Sequence, residues 1–312
     1  MRASLLERYR SSLPLSDSTP LVSLGEGSTP LVRAERLSER LGLDLWLKWE
    51  GANPTGSFKD RGMAVAVSKA LEAGAPGVVC ASTGNTAASA AAYAARAGIE
   101  AVVVHAAGAV AAGKLVQVRA AGARLLPVDG TFEDAFAAAL KLAEDEGYAF
   151  VNSTNPHRLE GQKTAAFELV EQLGAPPDVL ALPYGGGGNT AAYFKGFTED
   201  PGPTPRFVPV QAAARATTVA SAIRIGDPVH AHEVAEAIEA TGGEMITVED
   251  AEIVAAWQTL AREEGLFCEP ASAASVAGLA RADVPAGSRV VCVLTGHGLK
   301  DTGSFDELIA SA

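Results

Sequence analysis

From residue 77 onward, short apolar runs alternate with stretches of helical periodicity. The runs GVVCAS (77–82), IEAVVVH (99–105), ARLLPV (123–128), DVLALP (178–183), RFVPVQ (206–211) and SRVVCVLT (288–295) are rich in Val, Leu and Ala. Such near-continuous apolar runs predict strands buried on both faces. Helical patterns lie between them, near 85–97, 112–121 and 132–146. Strands alternating with helices need crossover connections, and hence mainly parallel sheet. In such sheets ligands sit at the carboxyl ends of the strands. Three of the predicted strands end in polar or glycine-rich runs, 82–86, 184–189 and 295–301, which are expected to face one crevice.

Composition bounds this picture. With 312 residues and 48% hydrophobic content, the chain is long enough for two lobes. The formal charge is 25 − 37 = −12. Few cations remain to neutralise phosphates, which argues against non-specific nucleic-acid binding. The odd count of cysteines (Cys80, Cys268 and Cys292), each in or beside an apolar segment, reads as buried thiols in a reducing compartment. No segment has the layout of a signal peptide or a membrane span. The longest alanine-rich run, 86–97, carries Tyr93 and Arg96 and reads as a packed soluble helix. The expected location is the cytoplasm. The proline-rich stretch EDPGPTPR (199–206) reads as a surface turn.

Four motifs carry candidate chemistry. In NPTGSFKDRGM (53–63), Asn-Pro and Gly56 make a turn, and Ser57 is expected to cap a helix starting at Phe58. Lys59 then lies in the first turn, where the positive end of the helix dipole disfavours an ammonium. A neutral lysine is what covalent chemistry with an aldehyde cofactor requires. Taken alone, the motif is equally read as a solvated lysine at a helix start. In ASTGNTAASAAAY (81–93), Ser82, Thr83, Asn85 and Thr86 offer polar side chains around Gly84 where a strand gives way to a helix. Such a junction binds anions through helix N-terminal amides, although a simple capped helix has the same outline.

In PYGGGGNTAAYFKG (183–196), the successive glycines Gly185, Gly186, Gly187 and Gly188 precede Asn189 between a strand and a helix. Without Cβ atoms, their amides can converge on a phosphate, the alternative being a flexible turn. The run lacks the Lys-Ser/Thr of a nucleotide P-loop and the spacing of a dinucleotide fold, so a cofactor phosphate without a nucleotide fits better. In VLTGHGLKD (293–301), Thr295 ends the last strong strand and places a hydroxyl where a pyridine nitrogen would be tuned. His297 is a candidate general acid or base, but a lone loop histidine is more often structural. His230 and His232 lack companion ligands nearby and read as a surface pair, so no metal site is expected.

Together these motifs resemble the fold-type II pyridoxal-phosphate enzymes, and within them the threonine synthases. The resemblance extends over GEGSTPL (25–31), LKWEGANPTGSFKDRGM (47–63), ASTGNTAAS (81–89), VNSTNPHRLEGQKTAAFE (151–168), AIRIGDP (222–228), EPASAAS (269–275) and TGHGLKD (295–301). It implies an α/β, tryptophan-synthase-beta-like fold of two lobes of mainly parallel sheet with helices on both faces. The large cofactor-binding lobe is expected over 1–46 plus 151–312. A smaller mobile lobe over 47–150 would carry Lys59 and the 82–86 substrate loop. The implied activity is conversion of O-phospho-L-homoserine and water into L-threonine and phosphate, and the implied assembly is a homodimer. Lys59 resembles the lysine that binds pyridoxal 5'-phosphate as a Schiff base, with Phe58 beside it, and Asn85 the residue facing the cofactor's phenolic oxygen. Gly185 to Asn189 resemble its phosphate loop, and Thr295 the partner of its ring nitrogen. Ser82, Thr83 and Thr86 match the stretch that holds the substrate carboxylate, and Asn152, Ser153 and Arg158 the pocket for its phosphate.

The chain departs from the threonine synthase pattern at Gly186, where that family usually carries asparagine. The segment between Gln211 and AIRIGDP is shorter, and His105-Ala-Ala-Gly replaces a proline-containing turn. These departures keep open a relative with altered substrate, either cysteate synthase, acting on O-phosphoserine and sulfite, or a serine or threonine dehydratase; a catalytically silent cofactor or phospho-ligand binding protein and a nucleotide-dependent enzyme are the remaining readings.

Overall fold

The computed structural model describes residues 3–107 and 115–301. Strands are β1 (Leu31–Arg33), β2 (Asp44–Trp49), β3 (Gly77–Ala81), β4 (Glu100–Ala106), β5 (Arg124–Val128), β6 (Ala149–Phe150), β7 (Val179–Pro183), β8 (Arg206–Ala212), β9 (Ile246–Val248) and β10 (Arg289–Leu294). Every strand read from an apolar run is present to within about two residues at its ends. Sequence reading did not single out β1, β2, β6 or β9, which are short or interrupted by polar residues. Of the helix read near 112–121, the described part is Val116–Ala120, and residues 112–114 lie outside the described residues. Among the described residues, no helix is long and apolar enough to cross a membrane.

The chain divides into two compact units. One comprises residues 1–27 and 53–162, the other 28–52 and 163–312. The sequence had placed the divisions at 46/47 and 150/151. Strand β2 stays with the second unit because its whole length pairs in parallel with β10, Asp44 opposite Arg289 through Trp49 opposite Leu294. The first residues stay with the first unit, where Val22 donates its amide to Ser68 Oγ on helix Lys59–Glu72, and Thr19 Oγ1 donates to Glu72.

The first unit holds a parallel sheet in the order β5-β4-β3-β6. The chain runs outward from β3 to β5 and then returns to the far side of β3, so the topological switch lies between β3 and β6. At such a point the loops after the two strands diverge to opposite faces and leave room for a ligand. Val79, Ala81, Val102 and Val104 pack on Ala135 and Ala139 of helix Phe132–Glu146. That helix begins in a capping box, Thr131 with Asp134, and ends at Gly147 in the left-handed conformation.

The second unit holds the order β1-β2-β10-β7-β8-β9, parallel except for β1. Its faces follow the two-residue period of a strand. Ala181, Val208, Val210, Val290 and Cys292 join one core with Trp257, Leu260 and the helix Pro270–Leu279. Leu180, Leu182, Phe207, Val291 and Val293 join the other with Tyr193 and Phe197 of helix Gly188–Glu199. Burial on both faces is why these strands read as continuous apolar runs. Here the switch lies between β7 and β10, and the loops leaving those two strands are 184–189 and 295–301.

In the first unit, helix Lys59–Glu72 and the start of helix Pro156–Leu173 touch backbone to backbone at Gly62 and Gly161. A Cβ on Gly62 would stand 2.5 Å from the Arg158 carbonyl oxygen, and one on Gly161 would overlap the Arg61 carbonyl. Overpacking of this kind costs roughly 1–3 kcal/mol. Gly161→Val is therefore expected to lower the thermal unfolding midpoint by several degrees. An unchanged midpoint would show that the two helices separate at little cost.

Candidate active site

In the first unit, Lys59 is the first residue of its helix and is half-buried, with Nζ 4.3 Å from the centre of the Phe58 ring. The predicted cap is not formed. Phe58 occupies the cap position with no side-chain bond, and the Ser57 hydroxyl is buried without a hydrogen-bond partner. The turn is fixed from the other side by Asp60, a fully buried carboxylate that sequence reading overlooked. It accepts from Thr55 N at 2.7 Å, Thr55 Oγ1 at 2.6 Å and Ser89 Oγ at 2.6 Å. Ser89 lies on helix Asn85–Ala97, so Asp60 ties the Lys59 turn to the helix that opens with Asn85 and Thr86.

The 82–86 loop leaves β3 and enters that helix through Gly84 with no side-chain cap. Ser82 Oγ accepts from the Gly84 amide at 3.2 Å and shapes the bend. Thr83, Asn85 and Thr86 are half-buried around it. Asn152, expected in the phosphate pocket, clasps the Ala81 backbone. Its Oδ1 accepts from Ala81 N at 2.8 Å and its Nδ2 donates to Ala81 O at 2.9 Å. It acts as one more rung between β3 and β6, holding the root of the substrate loop, because a carboxamide matches a peptide in both donor and acceptor. Ser153 is half-buried in the turn that follows.

Arg158 is 1% exposed. Its Nη1 donates to Val151 O at 3.2 Å and Thr86 Oγ1 at 3.4 Å, while Nε and Nη2 are buried without partners. Burial pushes the guanidinium down to about 10, which leaves it a cation at neutral pH. A buried cation with idle donors is costly unless an anion arrives to use them.

In the second unit, the glycine loop is shaped by what holds its carbonyls. Gly185 O accepts from Arg215 Nη2 at 3.1 Å, Gly186 O from His230 N at 3.1 Å, and Gly187 O from Ala191 N at 3.0 Å. In a trans peptide the N–H points opposite to the C=O. The amides of Gly186, Gly187 and Gly188 are thus turned away from the residues that grip the carbonyls. The amides that open helix Gly188–Glu199 have no intrahelical acceptor. Gly187 has φ +83°, and a Cβ there would meet His230 O and Val234 Cγ2 at 3.0 Å. A Cβ on Gly185 would stand 2.9 Å from Ile223 Cα. Thus the AIRIGDP segment forms the wall behind the loop. Next to the loop, Asn189 Nδ2 and Thr190 Oγ1 are buried and unpartnered. A cradle of amides that tolerates no Cβ at Gly185 or Gly187, flanked by idle donors, fits the phosphate of pyridoxal phosphate.

His230 is corrected from a surface residue. It is 6% exposed, bonded through Nδ1 to Glu233 at 3.1 Å, and its backbone braces the loop; His232 alone is exposed. Thr295, at the end of β10, is buried with its hydroxyl 3.0 Å from Ser272 Oγ. Ser272 Oγ also accepts from the Gly296 amide at 3.0 Å and fixes the Thr295 turn. Its position in EPASAAS was the available signal. His297 is structural: its Nδ1 accepts from Leu299 N at 3.2 Å, and its ring lies edge-on to Trp49. Among the described residues, no group of His, Cys, Asp and Glu is arranged to hold a metal.

Residues 22–296 match the family described as pyridoxal-phosphate dependent enzyme. The chain belongs to this family. Within it, the chain is 51% identical to a threonine synthase of Synechocystis sp., covering 95% of this chain and 83% of that protein. It is 48% identical to a threonine synthase of Halalkalibacterium halodurans over 95% and 89%, and 45% identical to one of Methanocaldococcus jannaschii over 94% and 80%. The fold is shared with maize serine racemase, at TM-score 0.80 and 22% identity over 99% and 98% of the two chains. It is shared equally with threonine deaminase isoform 2 of Solanum lycopersicum, at TM-score 0.80 and 24% identity over 91% and 83%.

Proposed function

We propose that this chain is a threonine synthase, a pyridoxal-phosphate-dependent lyase that converts O-phospho-L-homoserine and water into L-threonine and phosphate. Arg158 carries the choice of substrate. It is a buried cation with two idle donors, one turn of helix from the Gly62–Gly161 contact that joins it to the Lys59 helix. A guanidinium fork matches phosphate geometry, and a substrate phosphate would satisfy the donors. The identity with threonine synthases over most of the chain supports the same reading.

Pyridoxal phosphate, when bound, supplies an electron sink for the carbanions formed beside the substrate nitrogen. Lys59 would hold the cofactor through its aldehyde, and its free amine would take the α-proton of the substrate and help remove a β-proton. Arg158 orients the phosphate that leaves from the γ-carbon, and water adds at the β-carbon. Ser82, Thr83 and Thr86 hold the substrate carboxylate on the loop that Asn152 anchors. Asn85 would bond the phenolic oxygen, Thr295, set by Ser272, would partner the ring nitrogen, and Gly185 to Asn189 would hold the cofactor phosphate. The acidic chain with three buried thiols accords with a cytoplasmic enzyme, and a homodimer is the assembly to test by light scattering.

Incubation of the cofactor-loaded protein with O-phospho-L-homoserine is expected to release L-threonine and phosphate in equal amounts, read by chiral chromatography and a phosphate assay. One observation favours a second reading, a relative with altered substrate such as cysteate synthase. Gly186 has room for a side chain, since a Cβ would meet only Ile225 Cδ1 at 3.4 Å. The backbone does not demand glycine there. Cysteate formed from O-phosphoserine and sulfite, with no threonine from phosphohomoserine, would establish that alternative.

A further inference from the structure

We infer that Arg215 is the positioning residue that sets the glycine loop for the cofactor phosphate. The inference rests on the assignment of Gly185 to Asn189 as that phosphate site. Arg215 lies in the turn between β8 and AIRIGDP, the segment that is shortened relative to the threonine synthase pattern. Its guanidinium gathers four groups from three stretches of chain. Nη2 donates to Gly185 O at 3.1 Å, Nε to Ile225 O at 3.0 Å and Nη1 to Gln211 Oε1 at 3.3 Å. Its charged carbon stands 5.1 Å from the centre of the Tyr184 ring.

Each contact constrains the loop at a different point. Tyr184 is the last residue before the glycines and is itself tied through its amide to Val210 O at 2.7 Å. The bond to Gly185 O fixes the plane of the 185–186 peptide, and so the direction of the Gly186 amide on its opposite side. The bond to Ile225 O holds AIRIGDP behind the loop, where Ile223 backs Gly185 and Ile225 backs Gly186. Glycine peptides are the least constrained in a chain, so a run of four needs an external grip to keep its amides convergent. A planar guanidinium with donors along two edges serves three acceptors at once, which a lysine ammonium on a flexible stem does not reproduce. The cation also adds to the favourable field of the helix N-terminus toward a dianion.

The test compares the affinity of the apoprotein for pyridoxal 5'-phosphate and for pyridoxal, the same aldehyde without the phosphate, by absorbance titration. Wild type should prefer the phosphorylated form. Arg215→Met is expected to weaken pyridoxal phosphate binding by roughly 10-fold or more, the scale of one charged hydrogen bond, and to leave pyridoxal binding unchanged. The 31P resonance of bound cofactor should shift and broaden in the variant. Equal losses for both aldehydes, or no loss for either, would overturn the inference. A wild type with no preference for the phosphorylated form would instead overturn the assignment of the glycine loop. If the methionine variant does not fold, Arg215→Lys carries the same comparison. It should retain the fold and lose part of the preference, and full retention of the preference would count against Arg215.

Discussion

Lys59→Ala is expected to abolish turnover, with a loss of at least about 10³-fold, because the proposed role of the side chain is both to hold the cofactor and to move the proton. Alanine at the first position of helix Lys59–Glu72 is well tolerated, and Lys59 is half-buried. The fold and the second unit's glycine cradle should therefore survive. Borohydride treatment followed by mass spectrometry should show cofactor bonded to the Lys59 peptide in the wild type and none in the variant. The variant should still bind pyridoxal phosphate, more weakly, through Gly185 to Asn189. A variant that turned over at the wild-type rate would remove Lys59 from the chemistry altogether.

Arg158→Met is expected to raise the KM for a phosphorylated substrate by roughly 10–150-fold, the range for a hydrogen bond to a charged group, while cofactor affinity should change little. Methionine fills most of the volume and removes a charge that is 1% exposed and has two unpartnered donors. Removing an uncompensated buried charge is neutral or stabilising, so the ligand-free variant should melt no lower than wild type. Its loss of the bonds to Val151 O and Thr86 Oγ1 works against this, though both are long, at 3.2 and 3.4 Å. Equal loss of cofactor and substrate affinity, together with a lower melting point, would mark Arg158 as a structural brace for the 82–86 loop.

Much of this was legible along the chain. The strands read from apolar runs are present because burial on both faces leaves continuous Val, Leu and Ala. Helix Asn85–Ala97 was bounded by local signals, a glycine and polar cluster before it and Gly98 after it. The Lys59 turn and the glycine loop announced themselves because their chemistry is local: a turn, a helix start, and a run of residues without Cβ atoms. What was misjudged depends on distant partners. Ser57 was expected to cap a helix, but Asp60 and Ser89 fix that turn across 29 residues of sequence. Asn152 was read for a ligand alone, and its bonds to Ala81, 71 residues earlier, left no local trace. His230 was expected on the surface, but Gly186, 44 positions before it, takes its amide.

The sequence by itself determined the class of fold, which follows from periodicity, and its resemblance to the fold-type II enzymes, carried by motifs a few residues long, implied pyridoxal phosphate chemistry. Only the tertiary structure decided which polar groups are spent and which are idle. Asn152 is committed to Ala81, Thr295 to Ser272 and the glycine carbonyls to Arg215 and His230, whereas Arg158, Asn189 and Thr190 keep buried donors without partners. The reason is physical. A hydrogen bond between residues far apart in sequence leaves no periodic or compositional trace, and it exists only once β3 lies beside β6 and β7 beside β10.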